Sequence, residues 1–414
     1  MPLPYLTKTP PLGGQLKRRI EDFMVEEVLE DGTICAIEHL HTIPFPRVNL
    51  DIPPNLEPRT HDQLHLWMEK FNIETTFAIR LLSRGTSTGV KRIGYAGLKD
   101  KRGITCQRIS LWKPDVEKLK RFNVRGLSFH HASWSEKRIE LGDLRGNQFR
   151  IGIRDIAFSP EETKARIEAF QTHLGKGLPN YYGEQRFGGH RQVTHVVGKL
   201  LLQNKLEEAV MTYLTKPTPG EEEEIAAARK TLSETHDFSR ALKMFPDKFH
   251  FEKAMLDHLH TKPNDFAGAF QKLPQKTRYL FTHAYQSHVF NAIIAERLTR
   301  GLFYPIEGDV LVDGVPTAIL PGIKTTFATG LAGEIENDVM TQEGITPGFF
   351  AQAKMGELMS WGIRKPMMLR VNDFRLLQVG EDVWYPGKNF ARVAFSLGKG
   401  AYATTVLREL MKTE

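Results

Sequence analysis

A chain of 414 residues is longer than one ordinary core accommodates and points to two or three domains. Apolar and charged fractions of 41% and 25% are those of a globular protein, and no run approaches the ~18 apolar residues of a membrane helix. The net charge of +7 is concentrated: Arg80 to Arg138 holds fifteen Lys and Arg against four Asp and Glu, a local +11 that resembles a phosphate-tracking surface. Solvated basic loops produce the same composition, so charge alone leaves nucleic-acid contact open. The stretch Met1–Pro11 has no apolar run and does not read as a secretory leader. Two cysteines, Cys35 and Cys106, exclude a disulfide framework and a four-cysteine zinc site. The expectation is a soluble intracellular, cytoplasmic protein with reduced thiols.

In chain order, Phe23–Leu29 and His65–Met68 read as strands. Asn72 is placed to cap a helix over 73–83, with Phe77, Leu81 and Arg84 at helical spacing and Gly85 ending it. Ile93–Ala96 and Ile104–Leu111 are short apolar runs bracketing the loop Gly97–Gly103, a strand–loop–strand arrangement. Phe149, Ile151 and Ile153 alternate with Arg150, Gly152 and Arg154, the period of a strand with one apolar face. From about Arg191 to Ile345 the pattern is mainly helical, most clearly over Thr277–Leu298 with Phe281, Ala284, Tyr285, His288, Ala292 and Ile293 in register. The break Thr215–Gly220 precedes Glu221–Glu224, an acidic run expected to open a helix on a solvated face. Arg392–Leu397 reads as a strand and Ala401–Met411 as a helix. The implied fold class is α+β, a mixed domain interrupted by a mainly helical insertion. The boundaries fall at 1–190 and 346–414 for the first domain and 191–345 for the insertion.

Several chemistries lack their residues. Gly85–Lys91 imitates only the composition of a phosphate loop, and neither a dinucleotide glycine motif nor a nucleophile elbow is present. His61 and His65 have helical chelate spacing but an extended local pattern, while His130-His131 and His258/His260 have no partners at ligand spacing, so no metal site is expected. Asp100 differs. It is the sole carboxylate among Lys91, Arg92, Lys99, Lys101, Arg102 and Arg108, and surrounding cations favour its ionised form. An anion on a phosphate-binding surface repels the ligand unless it has a task; the alternative is a turn aspartate closing the loop.

Tyr95-Ala96-Gly97-Leu98-Lys99-Asp100-Lys101-Arg102-Gly103-Ile104-Thr105 resembles the signature of the TruD family of pseudouridine synthases. Four other stretches resemble family motifs in the same order. They are Glu21-Asp22-Phe23 with Val25-Glu26-Glu27 and Lys17 upstream; Leu144-Arg145-Gly146-Asn147-Gln148-Phe149; Pro179–Gly188; and Gly400–Leu410. Tyr402 stands where the family pattern has Phe, and Gly103 where it has Ala, a change expected to affect only loop flexibility.

The resemblance implies a pseudouridine synthase catalytic domain with a central, mostly antiparallel sheet, split by the mainly helical TRUD insertion. It implies isomerisation of uridine in tRNA, at position 13 in the family's name, with no cofactor, metal or obligatory protein partner. Asp100 would be the catalytic carboxylate and Lys17 its supporting cation. Phe23, Asn147 and Tyr402 match substrate-contacting positions, where an aromatic face stacks on a base and Asn147 pairs with a base edge. Phe149, Lys99, Lys101 and Arg186 complete the expected contact set, although Phe149 fits a core position equally well. The competing expectation is a non-catalytic RNA-binding or RNA-chaperone protein that retains the fold.

Overall fold

Short β-branched and aromatic runs form the strands here because their alternate residues find apolar partners on the sheet's faces. The computed structural model describes residues 3–41, 45, 49–352 and 356–413. Contacts divide the chain into two compact units, Thr7–Leu178 with Leu369–Glu414, and Met1–Leu6 with Pro179–Met368.

The first unit is built on β1 (Gln15–Leu16), β2 (Phe23–Val28), β3 (Gln63–Phe71), α1 (Thr75–Thr86), β4 (Ile93–Tyr95), β5 (Ile104–Trp112), α2 (Val116–Arg121), β6 (Leu127–Ser135), β7 (Gly146–Ile156) and α3 (Pro160–Gln171). After the second unit the chain returns as β8 (Val371–Glu381) and β9 (Asn389–Gly398). The sheet runs β8-β9-β7-β2-β5-β3-β6, with β1 paired to β7 and β4 to β5. The β2–β5 pair is parallel and the other pairs are antiparallel. Even-numbered Leu64, Leu66 and Met68 of β3 pack with Ala78, Ile79 and Leu82 of α1. Trp67 and Phe71, on the opposite face, pack with Cys35, Ile37, Leu40 and Cys106.

Two expectations are corrected in this unit. The helix spans Thr75–Thr86 with Glu74 at its N-cap, while Asn72 adopts a left-handed φ of 54°. Gly85 lies inside it, and the buried face is Thr75, Ala78, Ile79, Leu82 and Thr86; Phe77 is exposed. Helical period alone leaves the choice of face open; the apolar row of β3 makes it. In β7, Phe149, Ile151 and Ile153 are buried as expected, but so is Arg154. Its guanidinium donates to both Asp22 oxygens at 2.8 and 2.9 Å and to Asp382 Oδ1 at 3.0 Å, which makes burial of the charge tolerable.

The second unit is mainly helical, with α4 (Thr194–Leu202), α5 (Leu206–Thr215), α6 (Glu223–Thr235), α7 (Phe238–Met244), α8 (His250–Thr261), α9 (Phe266–Gln271), α10 (Gln275–Thr299), α11 (Gly330–Gln342) and α12 (Pro347–Ala351). A small sheet of Leu311–Val312, Val315–Leu320 and Ile363–Pro366 accompanies them. The 25-residue α10 buries Phe281, Ala284, Tyr285 and Ile293 in the core. The acidic run is more than a solvated helix start: Glu221 pairs with the buried Arg229 at 2.9 Å before Glu223 opens α6. The chain closes in the first unit with α13 (Ala403–Met411).

Candidate active site

The loop Gly97–Gly103 joins β4 to β5 and is tied down by buried side chains on the α1 face of the sheet. Lys99 N donates to Thr75 Oγ1 at 3.1 Å, and Gln107 Nε2 to Gly97 O at 2.9 Å. Lys70 Nζ donates to Asp100 O at 2.6 Å and to Lys99 O at 3.3 Å. The Lys70 ammonium is pushed down to about 8, chiefly by burial and against the pull of Asp100. Parallel pairing of Met24 with Ile104 brings β2 against the loop's end. A Cβ on Gly103 would lie 2.4 Å from Phe23 O, so a side chain here would force the loop or β2 to shift. The expectation that Gly103 affects only loop flexibility is corrected.

Asp100 itself is partly exposed, with Oδ1 2.7 Å from Lys17 Nζ. Lys17 follows β1 and holds a left-handed φ of 54°, a region that residues other than glycine enter uncommonly. Arg102 holds that backbone, donating from Nε to Lys17 O at 2.9 Å and from Nη2 to Arg18 O at 3.2 Å. The Lys17 ammonium also sits 3.9 Å from the Phe23 ring centroid. The result is a rigidly backed carboxylate with a cation on one oxygen, a form suited to attack or to proton removal.

The other expected residues separate into groups. Lys99 is buried, pairs with Glu27 Oε2 at 2.7 Å and donates to Asn147 Oδ1 at 2.6 Å. Asn147 lies on β7 opposite Glu27, and the preceding glycine is needed because a Cβ on Gly146 would stand 2.1 Å from Leu397 O. Phe23 and Phe149 are both buried, 2% and 5% exposed. Phe149 is edge-on to Phe23 and stacked on Phe395. Lys101 is exposed on the loop, and Tyr402 is 42% exposed at the N-cap of α13. Arg186 belongs to the second unit, where its Nε donates to Ser287 Oγ at 3.1 Å. Sequence reasoning missed Lys70, Glu27, Thr75 and Gln107. A lysine continuing the apolar row of Leu64, Leu66 and Met68 was the available signal for the first, since a buried ammonium needs partners.

Of the fifteen cations between Arg80 and Arg138, all but Arg92, Lys99 and Arg108 are exposed. The sequence profile of tRNA pseudouridine synthase D (TruD) matches residues 3–315 and 311–410. The chain belongs to the TruD family. A relative named for tRNA pseudouridine synthase D in Methanosarcina mazei is 36% identical over 448 aligned residues, covering 99% of this chain and 95% of its own. Another, from Methanopyrus kandleri, is 40% identical over 353 residues, 84% of this chain and 85% of its own. A crystal structure of TruD from Methanosarcina mazei matches with a TM-score of 0.81 at 34% identity, over 100% of this chain and 99% of that one. The α+β fold with its mostly antiparallel sheet is therefore a TruD fold, and pseudouridine synthases are isomerases. Among the described residues no helix is long and apolar enough to cross a membrane.

Proposed function

We propose that this chain isomerises uridine to pseudouridine in tRNA, at position 13, with Asp100 as the catalytic carboxylate. The observation that carries the reading is the 2.7 Å Lys17–Asp100 pair, backed by the buried Lys70 and lying beside an exposed basic segment in a TruD chain. A base stacked in RNA is out of reach, so the target uridine leaves the stack and enters the site. The bond from ribose C1′ to base N1 breaks, the uracil turns, and C1′ joins C5. The C5 proton is lost and N1 regains one, so substrate and product are isomers and the reaction requires no oxidant or nucleotide. Both a nucleophilic and a basic Asp100 act through a carboxylate oxygen, and Lys17 holds one of the two at 2.7 Å. Lys99 orients Asn147 toward a base edge, Tyr402 offers a stacking face, and Lys101 and the other exposed cations meet phosphate. Phe23 supports Lys17 from below, and Phe149 packs beneath Phe23. The unit around α10 acts as the family's insertion, with Arg186 contributing to RNA contact. A tRNA substrate places the work in the cytoplasm.

The test uses tRNA transcript labelled with tritium at uracil C5, since isomerisation alone releases that label to water. Release by the wild-type chain and none by Asp100→Asn, at unchanged tRNA affinity, is the expected outcome. Tight, salt-sensitive tRNA binding with no release by wild type would make the chain the RNA-binding protein that its exposed basic segment also supports. Undiminished release by Asp100→Asn would remove Asp100 from the chemistry.

A further inference from the structure

His130 and His131 have no ligand-spaced partners in sequence, but tertiary folding supplies them. In β6, His130 stands opposite Trp67 and Ser133 opposite His65, so His131 and Ala132 together face the single Leu66. This is a β-bulge, and His131 occupies it with a left-handed φ of 48°. Consecutive strand residues normally point to opposite faces. The bulge instead turns both imidazoles toward one carboxylate: Glu38 Oε2 is 3.1 Å from His130 Nδ1 and Glu38 Oε1 is 2.9 Å from His131 Nε2. Strain at a non-glycine residue that re-aims a side chain is a feature of functional sites.

A buried carboxylate stands behind His130. The other nitrogen of His130, Nε2, lies 3.3 Å from Glu69 Oε1, with Cys106 Sγ at 3.7 Å. Glu69 is wholly buried. A histidine bound to metal through one nitrogen typically gives its other N–H to a carboxylate, which sets its orientation and raises its basicity. Glu69 also accepts the backbone N–H groups of Glu38 at 2.7 Å and Leu40 at 2.9 Å, thereby fixing the segment that carries Glu38. Trp67 packs on the His131 ring with centroids 4.1 Å apart. His39 borders the cluster, its Nδ1 3.0 Å from Ser128 Oγ and 3.5 Å from Glu69 Oε1 and its ring 4.8 Å from that of His130. Glu38 and His131 are exposed, leaving room for a water on the outer side.

We propose that Glu38, His130 Nδ1 and His131 Nε2 bind one zinc ion, with Glu69 as the outer partner of His130 and water at the fourth position. Two imidazoles and one carboxylate are a zinc donor set, and the three ligand atoms lie within 4.8 Å of one another, close enough to converge on one ion. Glu69 and Lys70 are successive on β3 and point to opposite faces; Lys70 supports the Asp100 loop. The zinc site therefore lies across the sheet from Asp100. Its role is to clip the segment bearing Glu38 onto β6, independent of the isomerisation.

The test strips the full chain with chelator, confirms its fold by circular dichroism, and titrates it with zinc chloride at pH 7.5. Wild type should retain one zinc per chain after desalting and unfold a few degrees higher when zinc-saturated. His131→Asn, which suits a left-handed backbone, and Glu38→Gln should each weaken retention by about 100-fold or more, since loss of an outer partner alone costs 10–100-fold. His61→Asn should leave it unchanged. Cobalt(II) on the wild type gives a readout that needs no variant: strong visible absorption is the signature of four or five ligands. Absence of zinc retention by folded wild type, retention by both variants equal to that of wild type, or a cobalt spectrum like that of the hydrated ion would each overturn the proposal and leave Glu38 as a carboxylate bridging two imidazoles.

Discussion

The Lys17–Asp100 pair shows how much of a site resides in the residues that hold it. A partly exposed Lys–Asp pair is worth on the order of 1 kcal/mol or less to stability, so the pair contributes little to folding. Under the proposed function the task of Lys17 is electrostatic: to hold positive charge on the Asp100 carboxylate. On that basis Lys17→Met should lower kcat by about 10²–10³, the usual cost of removing one preorganised electrostatic partner, with tRNA affinity nearly unchanged. Single-turnover rates and filter binding separate the two, and a parallel loss in both would make Lys17 an ordinary phosphate contact. Buried Lys70 has the contrasting position, gripping the backbone carbonyls of Lys99 and Asp100 and acting through the loop.

Among the elements, the join between β2 and β5 governs the site. Parallel pairing sets Phe23 beside Gly103 with no space for a methyl group. Gly103→Ala should therefore cost about 1–3 kcal/mol through overpacking, seen as a lowered unfolding midpoint. Gly97→Ala in the same loop meets nothing within 4 Å and should fall within about 0.5 kcal/mol of wild type. Equal effects would show that loop flexibility, and not the approach of β2, sets the requirement. The turn before β2 is held with similar firmness: Asp22 accepts Arg19 N at 2.8 Å and the buried Arg154 guanidinium. The Glu21-Asp22-Phe23 motif is thus in part a scaffold for Lys17.

At the scale of the molecule, each unit has its own core, and the mainly helical one contains a pH-sensitive group. His195 is pushed down to about 4, first by burial and then by the neighbouring His288 and Lys216. Its ring stacks on His288, which pairs with Glu343 at 2.9 Å. Folded His195 resists a proton that the unfolded chain accepts near 6.5, so its contribution to stability is complete above pH 6.5 and is lost as pH falls toward 4. His195→Phe, which retains a ring, should flatten this part of the stability curve in urea titrations between pH 7 and 4. An unchanged slope would assign the acid sensitivity to other groups.

Composition, period and motif order by themselves determined the fold class, the strand–loop–strand around Asp100, the helical middle and the family, because these depend on local pattern and on residue types that the chemistry requires. The pairing of Lys17 with Asp100 also came from motif order, 83 residues apart in sequence. Three-dimensional packing decided which face of α1 is buried, how closely backbone approaches Gly103 and Gly146, that Lys99 is buried against Glu27, and that Phe149 lies in the core. It also brought Glu38 and Glu69 to His130 and His131. Each of these depends on which strand lies beside which, and neighbours across a sheet leave no periodic mark in the sequence of either strand.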